Sequence, residues 1–565
     1  MIMLRKSWLL GAAAILCTVV WFVLLAQRPL FDPDEGRYAE IPREMLSGGD
    51  WVIPHLNALV YLEKPPLQYW LTALAFRAFG QSEFPARLCT GLAGYLALLA
   101  VFFVGRDLWG FDAGLRAVLF TSASALFVLL GHQLTLDMLL SFWLLAALGC
   151  FLAAQARRDT GSRWRAWMLG CWAAMALAVL TKGLIGVVIP GATLGAYLLW
   201  QRDWMLLRRL NFRWGLPLFT AIAAPWFALA ARANAQFLEF FFIREHFLRF
   251  VTAIEHRTEP WWFFVPVLVV GIMPWLPQAA RALIIVPRSR VPRGQFDAAR
   301  VLWTWCVFVL VFFSCSDSKL IPYILPAIPA LALLCAGRPG GDSRGVLLAG
   351  AFLSLASGAG VLAYASGAWS SPEAVQLLRL IRPMLLCMSA LLALGALIAA
   401  RCALRGRPLA ALAALSGAWF LGSASILVAG NAAQSLYSAK DIALTVRRAA
   451  AAAEPAGAAS GAGIPPGAGI PPDVPVFAVQ SYQQSLVFYL QRPVVLVDYR
   501  DEFDLGLTLD PPRGIATLQQ FAAVWRPLAQ GFAVLPPRSR ERLSGLQLPM
   551  REVARFPDRV VISRR

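Results

Sequence analysis

Acidic and basic side chains crowd into residues 31–70, FDPDEGRYAEIPREMLSGGDWVIPHLNALVYLEKPPLQYW. Asp34 and Glu35 carry carboxylates there, and Arg37 and Lys64 carry positive charge. A carboxylate can orient a nucleophile or stabilise positive charge at a sugar carbon, whereas a cation stabilises phosphate oxygens. The combination predicts a site that handles a phosphate and a sugar together. The alternative is a solvated turn in which these acids have no chemical role.

Two further charged residues lie at the ends of apolar runs. Lys182 stands between two such runs with almost no loop, and Asp137 begins another run. Lys182 is a candidate phosphate ligand, and the alternative is an ammonium group that only reaches out of the bilayer from a helix end. An ionisable residue at this position predicts a functional role for Asp137. A salt bridge between Asp137 and Lys182 is an equally simple interpretation.

Apolar runs must position these residues, because 59% of the 565 residues are hydrophobic and only 15% are charged. A soluble protein would carry roughly 25% charged residues. Each run is long enough, or nearly so, to cross the roughly 30 Å hydrocarbon layer as a helix. We predict a polytopic membrane protein whose first run is a retained helix and not a cleaved signal peptide. Thirteen spans are expected near residues 8–26, 86–105, 115–131, 138–154, 167–181, 183–200, 214–231, 261–277, 301–315, 320–337, 346–365, 382–400 and 408–430.

Basic residues are concentrated in alternate loops between the predicted spans. Arg-rich loops recur near residues 5–6, 106–116, 157–165, 202–213, 281–300, 338–344 and 401–407. This pattern marks the cytoplasmic side, and an odd number of spans then places the C-terminus outside. The formal net charge of +19 is spread between apolar runs and not gathered in one polar domain, which argues against nucleic-acid binding. The nine Cys residues have no metal-like spacing and are interpreted as small buried hydrophobes.

The remaining segments predict a few elements outside the bilayer. Residues 67–79 are apolar but too short to span, so we expect a helix along the membrane interface, and residues 38–46 are a second candidate. A helix is expected over 441–453, and residues 456–472 contain GAGIPP twice and predict a flexible linker. Short β-type runs at 476–479, 494–497, 532–535 and 560–562, with helices at 483–490 and 517–525, predict a small exported α/β domain.

Several longer motifs resemble one protein family. They are DPDE-x-RYAEIPREM, GDW-x-IPHLN and YLEKPPLQYW in the first outer loop, TKG at 181–183, REHFLRF at 244–250, IEHRTEPWWFF at 254–264, SDSKLIPYILP at 316–326 and FYLQRPVVLVDYRDEF at 488–503. This set resembles the aminoarabinose transferases, which belong to the GT-C glycosyltransferases alongside the protein O-mannosyltransferases. The resemblance covers nearly the whole chain and is most specific in the first outer loop.

The resemblance implies a fold and a reaction. The fold is a polytopic α-helical membrane domain of GT-C type over residues 1–435, followed by a periplasmic α/β domain over 436–565. The reaction is transfer of 4-amino-4-deoxy-L-arabinose from undecaprenyl phosphate to a lipid A phosphate at the periplasmic face of the inner membrane. Cells would thereby resist polymyxin and other cationic peptides. Such enzymes are grouped with inverting transferases, which act without a covalent enzyme intermediate.

The resemblance also implies site residues. Asp34, Glu35 and Asp137 are the expected catalytic residues. The expected substrate-binding residues are Arg37, Tyr61, Glu63, Lys64, Lys182, Arg244, Arg249, Lys319 and Tyr323. Glu63 is a candidate partner for the ammonium group of the aminosugar. No cofactor is required in this scheme, because Lys and Arg can neutralise phosphate charge. A Zn²⁺ or Mg²⁺ ion held by Glu63, His246 and His256 is the alternative, although the sequence contains no HExxH spacing.

The expected partners are a lipid-linked aminosugar donor, lipid A and membrane lipids, with no nucleic acid and a monomeric chain. Two competing hypotheses remain open at this point. Another GT-C enzyme with the same type of lipid donor, such as a protein O-mannosyltransferase, would share most of the membrane motifs. A transporter of lipid-linked sugars would place charges near the midplane of several spans, whereas here they crowd on one side.

Overall fold

Helices dominate the computed structural model, which describes residues 2–157, 163–248, 259–337, 342–367, 372–452 and 470–564. Helices up to the second half of the membrane region are α1 Ile2–Val23, α2 Asp34–Gly48, α3 Leu67–Phe79, α4 Glu83–Trp109, α5 Phe111–Ala123, α6 Ala125–Gly131, α7 Leu136–Ala156, α8 Trp164–Lys182, α9 Ile185–Gln201, α10 Met205–Arg208 and α11 Phe212–Ala233. A π-helix follows at Glu239–Leu248.

The later helices complete the membrane region and enter the C-terminal part. They are α12 Phe264–Gly271, α13 Leu276–Arg288, α14 Ala298–Cys315, α15 Ala327–Ala336, α16 Arg344–Ala365, α17 Pro372–Leu404, α18 Pro408–Ala432, α19 Gln434–Tyr437, α20 Lys440–Ala452, α21 Gln484–Leu490, α22 Asp504–Leu509, α23 Leu518–Trp525 and α24 Pro537–Ser544. Short 3₁₀ turns lie at Leu24–Ala26, Ile321–Ile324, Asp501–Phe503 and Pro511–Arg513.

Long apolar helices confirm the prediction of a multi-pass membrane protein. Among the described residues, 8 helices are long and apolar enough to cross a membrane, or up to 10 if each bent pair is one span. Three shorter apolar helices fall on other predicted spans, at Ala14–Ala26, Ile185–Gln201 and Ile321–Ala336. Every predicted span therefore lies on an apolar helix, but the count of thirteen is not confirmed.

Two predicted spans are broken and not continuous. The span expected near 115–131 consists of α5 and α6, which meet at an angle of 72°. Ser124 lies at this break, where its hydroxyl donates to the carbonyl of Gly271 at 2.6 Å and accepts from the amide of Phe127. The span expected near 261–277 is likewise bent by 119° between α12 and α13. The hydrogen bond between Ser124 and Gly271, which are 147 residues apart, stabilises the first break and leaves no trace in hydropathy.

The described chain divides into two compact units. The membrane unit contains residues 1–27, 63–68 and 87–430, and the second unit contains 28–62, 69–86 and 431–565. Residues of the first outer loop thus pack with the C-terminal part of the chain. The sequence-based boundary at 435/436 lies five residues beyond the division between Gly430 and Asn431. The roles assigned to the two domains stay predictions.

The second unit contains a mixed six-stranded sheet. Its strands run in the order β5 Gly514–Ile515, β4 Val495–Val497, β3 Val476–Val479, β6 Phe532–Leu535, β8 Val560–Ser563 and β7 Arg551–Arg555. The first four strands are parallel to one another, and β8 pairs antiparallel with both β6 and β7. Buried side chains such as Phe477, Phe521 and Trp525 form its core. This sheet confirms the predicted α/β domain.

The first outer loop contributes a helix pair and a hairpin to this unit. Helix α2 includes the predicted residues 38–46, and α3 covers residues 67–79 as predicted. A two-stranded hairpin, β1 His55–Leu56 and β2 Leu59–Val60, was not predicted. Its turn residues Asn57 and Ala58 both have positive φ, as a tight hairpin turn requires. The predicted linker lies mostly outside the described residues, which resume at residue 470.

Candidate active site

Lys64 lies in an ion pair inside the membrane unit. Its ammonium group donates to the Glu245 carboxylate at 2.8 Å, and Glu63 lies on its other side at 3.8 Å. The side chains of Lys64 and Glu245 are 13% and 6% exposed, so water screens the pair only weakly. Glu245 belongs to the π-helix, a rare element that often marks functional sites. Lys64 is therefore a cation at a partly buried position that an anionic ligand could share.

A second cation–carboxylate cluster in the membrane unit joins Asp137, Lys182 and Tyr323. Lys182 donates to Asp137 at 2.5 Å, and its ammonium group lies 5.0 Å from the centre of the Tyr323 ring. The structure thus confirms the salt bridge considered from the sequence. Asp137 lies in the first turn of α7 and Lys182 in the last turn of α8, where the helix dipoles favour each charge.

The sequence around Lys182 explains this placement. Helix α8 ends at Lys182 and is followed by Gly183, whose φ of 82° lies in the region that favours glycine. Three residues later, a Cβ at Gly186 would lie 2.6 Å from the backbone nitrogen of Val179, so α8 and α9 pack closely only with glycine there. The tight turn fixes the direction in which the Lys182 side chain leaves the helix.

Two other predicted site residues of the membrane unit, Lys319 and Arg244, contact other groups. The Lys319 side chain is buried and donates to the Ser316 carbonyl at 2.5 Å, so its charge is held by the backbone of its own loop. Arg244 is exposed and stacks over the Phe240 ring at 5.4 Å. Arg249 and His256 lie outside the described residues, as does the side chain of His246.

The predicted metal site cannot be assembled from the part of the chain that the structure describes. Of its three residues, only Glu63 has a described side chain, and Glu63 lies beside the Lys64 ammonium group. No group of three His, Cys, Asp or Glu residues with metal-binding geometry occurs among the described residues. The metal hypothesis therefore stays a prediction, with Glu63, His246 and His256 as the residues that would hold the ion.

Asp34 and Arg37 form a charged cluster in the second unit. Arg37 donates to Asp34 at 3.0 Å and to Glu502 at 2.6 Å. The Asp34 side chain is 39% exposed, whereas Arg37 and Glu502 are 12% and 7% exposed. Burial alone would lower the pKa of Arg37. The neighbouring Glu502 carboxylate opposes this effect, and the pKa of Arg37 lies above its ordinary value. Asp34 is thus the accessible carboxylate of a group whose cation is fixed in place. Tyr61, which also belongs to this unit, is 2% exposed.

Glu502 was missed as a member of this cluster. The motif at 488–503 contains it, and this motif was quoted only as part of the resemblance. The charged residues of this motif were the signal from which Glu502 could have been predicted as a site residue. Sequence separation of 465 residues hid the pairing itself.

Glu35 has a different environment from Asp34. It is fully buried, forms an ion pair with Arg28 and accepts a hydrogen bond from the amide of Phe31 at 3.0 Å. Its second oxygen accepts from Arg28 at 3.0 Å. These contacts indicate that Glu35 holds the loop before α2 in shape, and its predicted catalytic role stays untested.

We expect Glu35→Ala to destabilise the second unit by about 3–5 kcal/mol, because Arg28 would keep a buried charge without its carboxylate. Thermal unfolding of the purified protein in detergent measures the effect. Arg513→Ala is the control, since its pair with Asp510 is about half exposed and is expected to contribute about 0–1 kcal/mol. Equal shifts in the two variants would contradict a structural role for Glu35.

Asp32 links the loop to the C-terminal motif of the same unit. Its two carboxylate oxygens accept from the Ser485 amide at 2.6 Å and the Ser485 hydroxyl at 2.9 Å. Two residues into α2, a Cβ at Gly36 would lie 2.2 Å from the Ser485 nitrogen, so this close approach requires glycine. Desolvation by the surrounding protein raises the pKa of Asp32 to about 7, although the two Ser485 hydrogen bonds oppose the shift.

This raised pKa predicts a pH dependence of stability. The folded protein keeps the Asp32 proton up to pH about 7, whereas the unfolded chain releases it near pH 3.9. The free energy of unfolding therefore falls as pH rises between these two pKa values, and Asp32 adds no further pH dependence above about 7. Asp32→Asn should remove the contribution of Asp32 to the dependence of the free energy of unfolding on pH. The amide oxygen of Asn can still accept a hydrogen bond from Ser485.

Denaturation of both proteins between pH 4 and 8 tests the prediction. Burial also raises the pKa of Glu44, to about 8, so a slope remains in both proteins and only their difference reports on Asp32. Parallel curves would show that Asp32 titrates at its ordinary value.

Comparison with known proteins begins with family models. Residues 467–564 match the aminoarabinose transferase C-terminal domain, and residues 63–229 match the dolichyl-phosphate-mannose-protein mannosyltransferase family. The undecaprenyl phosphate-alpha-4-amino-4-deoxy-L-arabinose arabinosyl transferase of Aeromonas hydrophila is 33% identical over 56% of this chain and 57% of the relative. Its Pseudomonas aeruginosa counterpart is 36% identical over 58% and 59%. The chain thus spans less than two thirds of these curated relatives.

A solved structure extends the likeness to the full length. The crystal structure of ArnT from Cupriavidus metallidurans bound to undecaprenyl phosphate is 32% identical, with a TM-score of 0.87 over 99% of this chain and 98% of that chain. This chain belongs to the aminoarabinose transferase family. Membership confirms the resemblance seen in the sequence motifs and the predicted GT-C fold with its small C-terminal α/β domain.

Family membership extends to both units of the chain. The mannosyltransferase model covers residues 63–229, most of which lie in the membrane unit, and the aminoarabinose transferase model covers all strands of the six-stranded sheet. The aminoarabinose transferase model begins at residue 467, within the second GAGIPP copy.

Proposed function

We propose that the protein transfers 4-amino-4-deoxy-L-arabinose from an undecaprenyl-phosphate donor to a phosphate group of lipid A. Full-length likeness to an ArnT structure that holds undecaprenyl phosphate supports the lipid donor. The names of the curated relatives support the sugar. Lipid A as acceptor, the periplasmic face of the inner membrane as the location and a monomeric chain are parts of the same proposal.

The pair of ammonium groups in the membrane unit carries this proposal. Lys64 and Lys182 are each held by a carboxylate, at 2.8 Å and 2.5 Å. We propose that both lie on the side of the membrane opposite the Arg-rich loops. Cations at partly buried positions stabilise phosphate oxygens more strongly than cations in water. A sugar transporter has no need of such groups gathered at one side.

In the proposed reaction an oxygen of the acceptor phosphate attacks the anomeric carbon of the sugar. The bond between that carbon and the donor phosphate oxygen breaks, and undecaprenyl phosphate leaves with the electron pair. Lys64 and Lys182 neutralise the charge that develops on the leaving phosphate. The acceptor phosphate is already anionic near neutral pH, so no strong general base is needed.

Carboxylates have a separate part in this scheme. Asp137 holds Lys182 and has a proposed role in orienting the reacting groups. Glu63 is proposed to pair with the sugar ammonium group, and Asp34 to orient the acceptor or stabilise positive charge at the sugar carbon. Arg37, fixed by Glu502, would contact phosphate at the surface of the second unit. Tyr61, Arg244, Arg249, Lys319 and Tyr323 are proposed to complete substrate binding.

A reconstituted transfer assay tests the function. Purified protein in lipid nanodiscs is given undecaprenyl-phosphate aminoarabinose and lipid A, and the product is measured by mass spectrometry. Because one family model is that of mannosyltransferases, a polyprenyl-phosphate mannose donor and a Ser/Thr peptide acceptor form parallel arms. Product only in the mannose arm would replace the proposed function with protein mannosylation.

We propose further that the reaction requires no metal ion, since the two Lys residues supply the needed charge. Dialysis against a chelator should leave the rate unchanged. A loss of activity that Zn²⁺ or Mg²⁺ restores would instead support a metal bound by Glu63, His246 and His256.

A further inference from the structure

An apolar cavity of about 240 Å³ lies inside the membrane unit, between α7, α8, α9 and the start of α14. Its described lining includes Phe151, Met168, Tyr197 and Trp305, and none of the charged residues assigned to transfer. These four residues belong to the helix halves that adjoin the Arg-rich loops, whereas Val187 and Gly191 of the lining lie in the first half of α9. An engineered apolar cavity of roughly 150 Å³ holds benzene, so this one has room for part of a hydrocarbon chain.

The cavity opens on the surface of α9. Gly191 lines it and is exposed, as is Val187 one turn before. A Cβ added at Gly191 would meet no atom within 4 Å. The lateral surface of a membrane helix faces the hydrocarbon of the bilayer. Lipid chains therefore have direct access to this opening.

The polar groups of the wall are almost all engaged by the protein. The indole nitrogens of Trp172 and Trp305 donate to backbone carbonyls at 2.8 Å and 3.0 Å, and the Tyr197 hydroxyl accepts from the Asp297 amide. The Thr193 hydroxyl, 2% exposed, is without a protein partner in the described part of the chain. The wall thus suits a hydrocarbon chain, and a charged headgroup would have to stay outside.

The segment beside the cavity has the composition of a membrane interface. Arg202, Arg208 and Arg213 are exposed, and so are Trp204 and Trp214. Leu210 and Phe212 of the same segment line the cavity. Exposed Trp residues favour the headgroup level, and Arg residues near an anionic surface are attracted to its phosphates.

From this arrangement we propose that the cavity binds an acyl chain of an anionic phospholipid whose phosphate lies against the exposed Arg residues of segment 202–214. This site is independent of the proposed transfer reaction. It would hold the lipid in the leaflet that meets the Arg-rich loops.

Photocrosslinking tests the chain-binding part. The full chain is placed in nanodiscs with phosphatidylglycerol that carries a diazirine near the end of one acyl chain, and labelled peptides are quantified by mass spectrometry. We expect peptides of the cavity wall to be labelled at least tenfold more than those of α16. Gly191→Leu should lower this labelling about tenfold by filling the opening. Gly195→Leu is the matched control, because this glycine on the same helix also has open space at its Cβ and does not line the cavity.

Unchanged labelling in Gly191→Leu, or labelling of the wall no greater than that of α16, would overturn the proposal. Displacement of the probe by equimolar undecaprenyl phosphate would assign the cavity to the donor tail and overturn it as well.

A second comparison tests the headgroup. Phosphatidylglycerol should label the wall several-fold more than a phosphatidylcholine probe with the same chain, and the double variant Arg208→Gln/Arg213→Gln should abolish this preference. Arg401→Gln/Arg405→Gln removes two exposed Arg residues from another Arg-rich loop and should keep it. Equal labelling by both lipids in the unaltered protein would overturn the anionic assignment.

Discussion

Replacing Lys64 with Ala is expected to lower the rate of aminoarabinose transfer by about 10²–10³-fold, because the departing phosphate would lose a positioned positive charge. The ammonium group is mostly shielded from water and lies 2.8 Å from the Glu245 carboxylate. In the proposed mechanism the donor phosphate takes over part of this interaction. Transfer in nanodiscs and retention of a polyprenyl-phosphate ligand are both measured, and both should weaken.

Two further variants separate charge from shape. Lys64→Arg keeps the charge but replaces a compact ammonium group with a planar fork, so partial activity is expected. Lys440→Ala removes a similar pair, with Glu83 at 2.7 Å, from the second unit and should leave transfer within about twofold. Full activity of Lys64→Ala would remove this cation from the mechanism.

The Asp34→Ala protein is expected to turn over about 10²–10⁴-fold more slowly while it retains most of its affinity for the lipid donor. Asp34 is the exposed member of a cluster whose other members, Arg37 and Glu502, are largely buried. A carboxylate that acts on the sugar or acceptor in the transition state affects kcat more than KM. Asp34→Asn keeps the size and hydrogen-bonding oxygen without the charge, and should be nearly as slow.

Cells that lack the endogenous transferase allow the same variants to be tested by complementation. Polymyxin survival and lipid A mass spectra are compared after expression has been matched. Arg37→Ala should fall between the unaltered protein and Asp34→Ala. Full lipid A modification by Asp34→Ala would place the proposed chemistry elsewhere, and loss of both activity and folded protein would show that the acid only supports the loop.

Much of the fold was predictable because it depends on local apolar patterns. The helix at 67–79 and the strands at 476–479 and 532–535 have the predicted bounds, and the location of that helix at the membrane interface stays a prediction. Strand β7 was not predicted, because its sequence REVAR is charged at both ends. Its two terminal side chains are exposed and its three central ones are partly exposed. It is an edge strand defined by pairing with β8, and a pairing of this kind leaves little trace in composition.

The candidate site was only partly predictable. The Asp137–Lys182 ion pair was considered because Asp137 stands at the start of one apolar run and Lys182 at the end of another, and both positions are predicted on the same side of the membrane. The partners of Asp32, Arg37 and Lys64 are 453, 465 and 181 residues away, and no local pattern encodes such pairings. Sequence alone also gave Asp34 and Glu35 equal roles. Both carboxylates form ion pairs in the structure, and the 39% exposure of Asp34 distinguishes it from the fully buried Glu35.

The contact between Asp32 and Ser485 also bears on how the protein is made. At a synthesis rate of about 5–20 residues per second, the ribosome needs roughly 20–90 s to add the 453 residues between them. During this time residues 28–62 have been synthesised without the C-terminal residues Ser485 and Glu502, which bind Asp32 and Arg37 in the folded protein. The C-terminal contacts of this charged loop therefore form only when translation is nearly complete, and we expect the loop to be open to proteases before then. Truncation after α18 should leave that loop the first site of degradation.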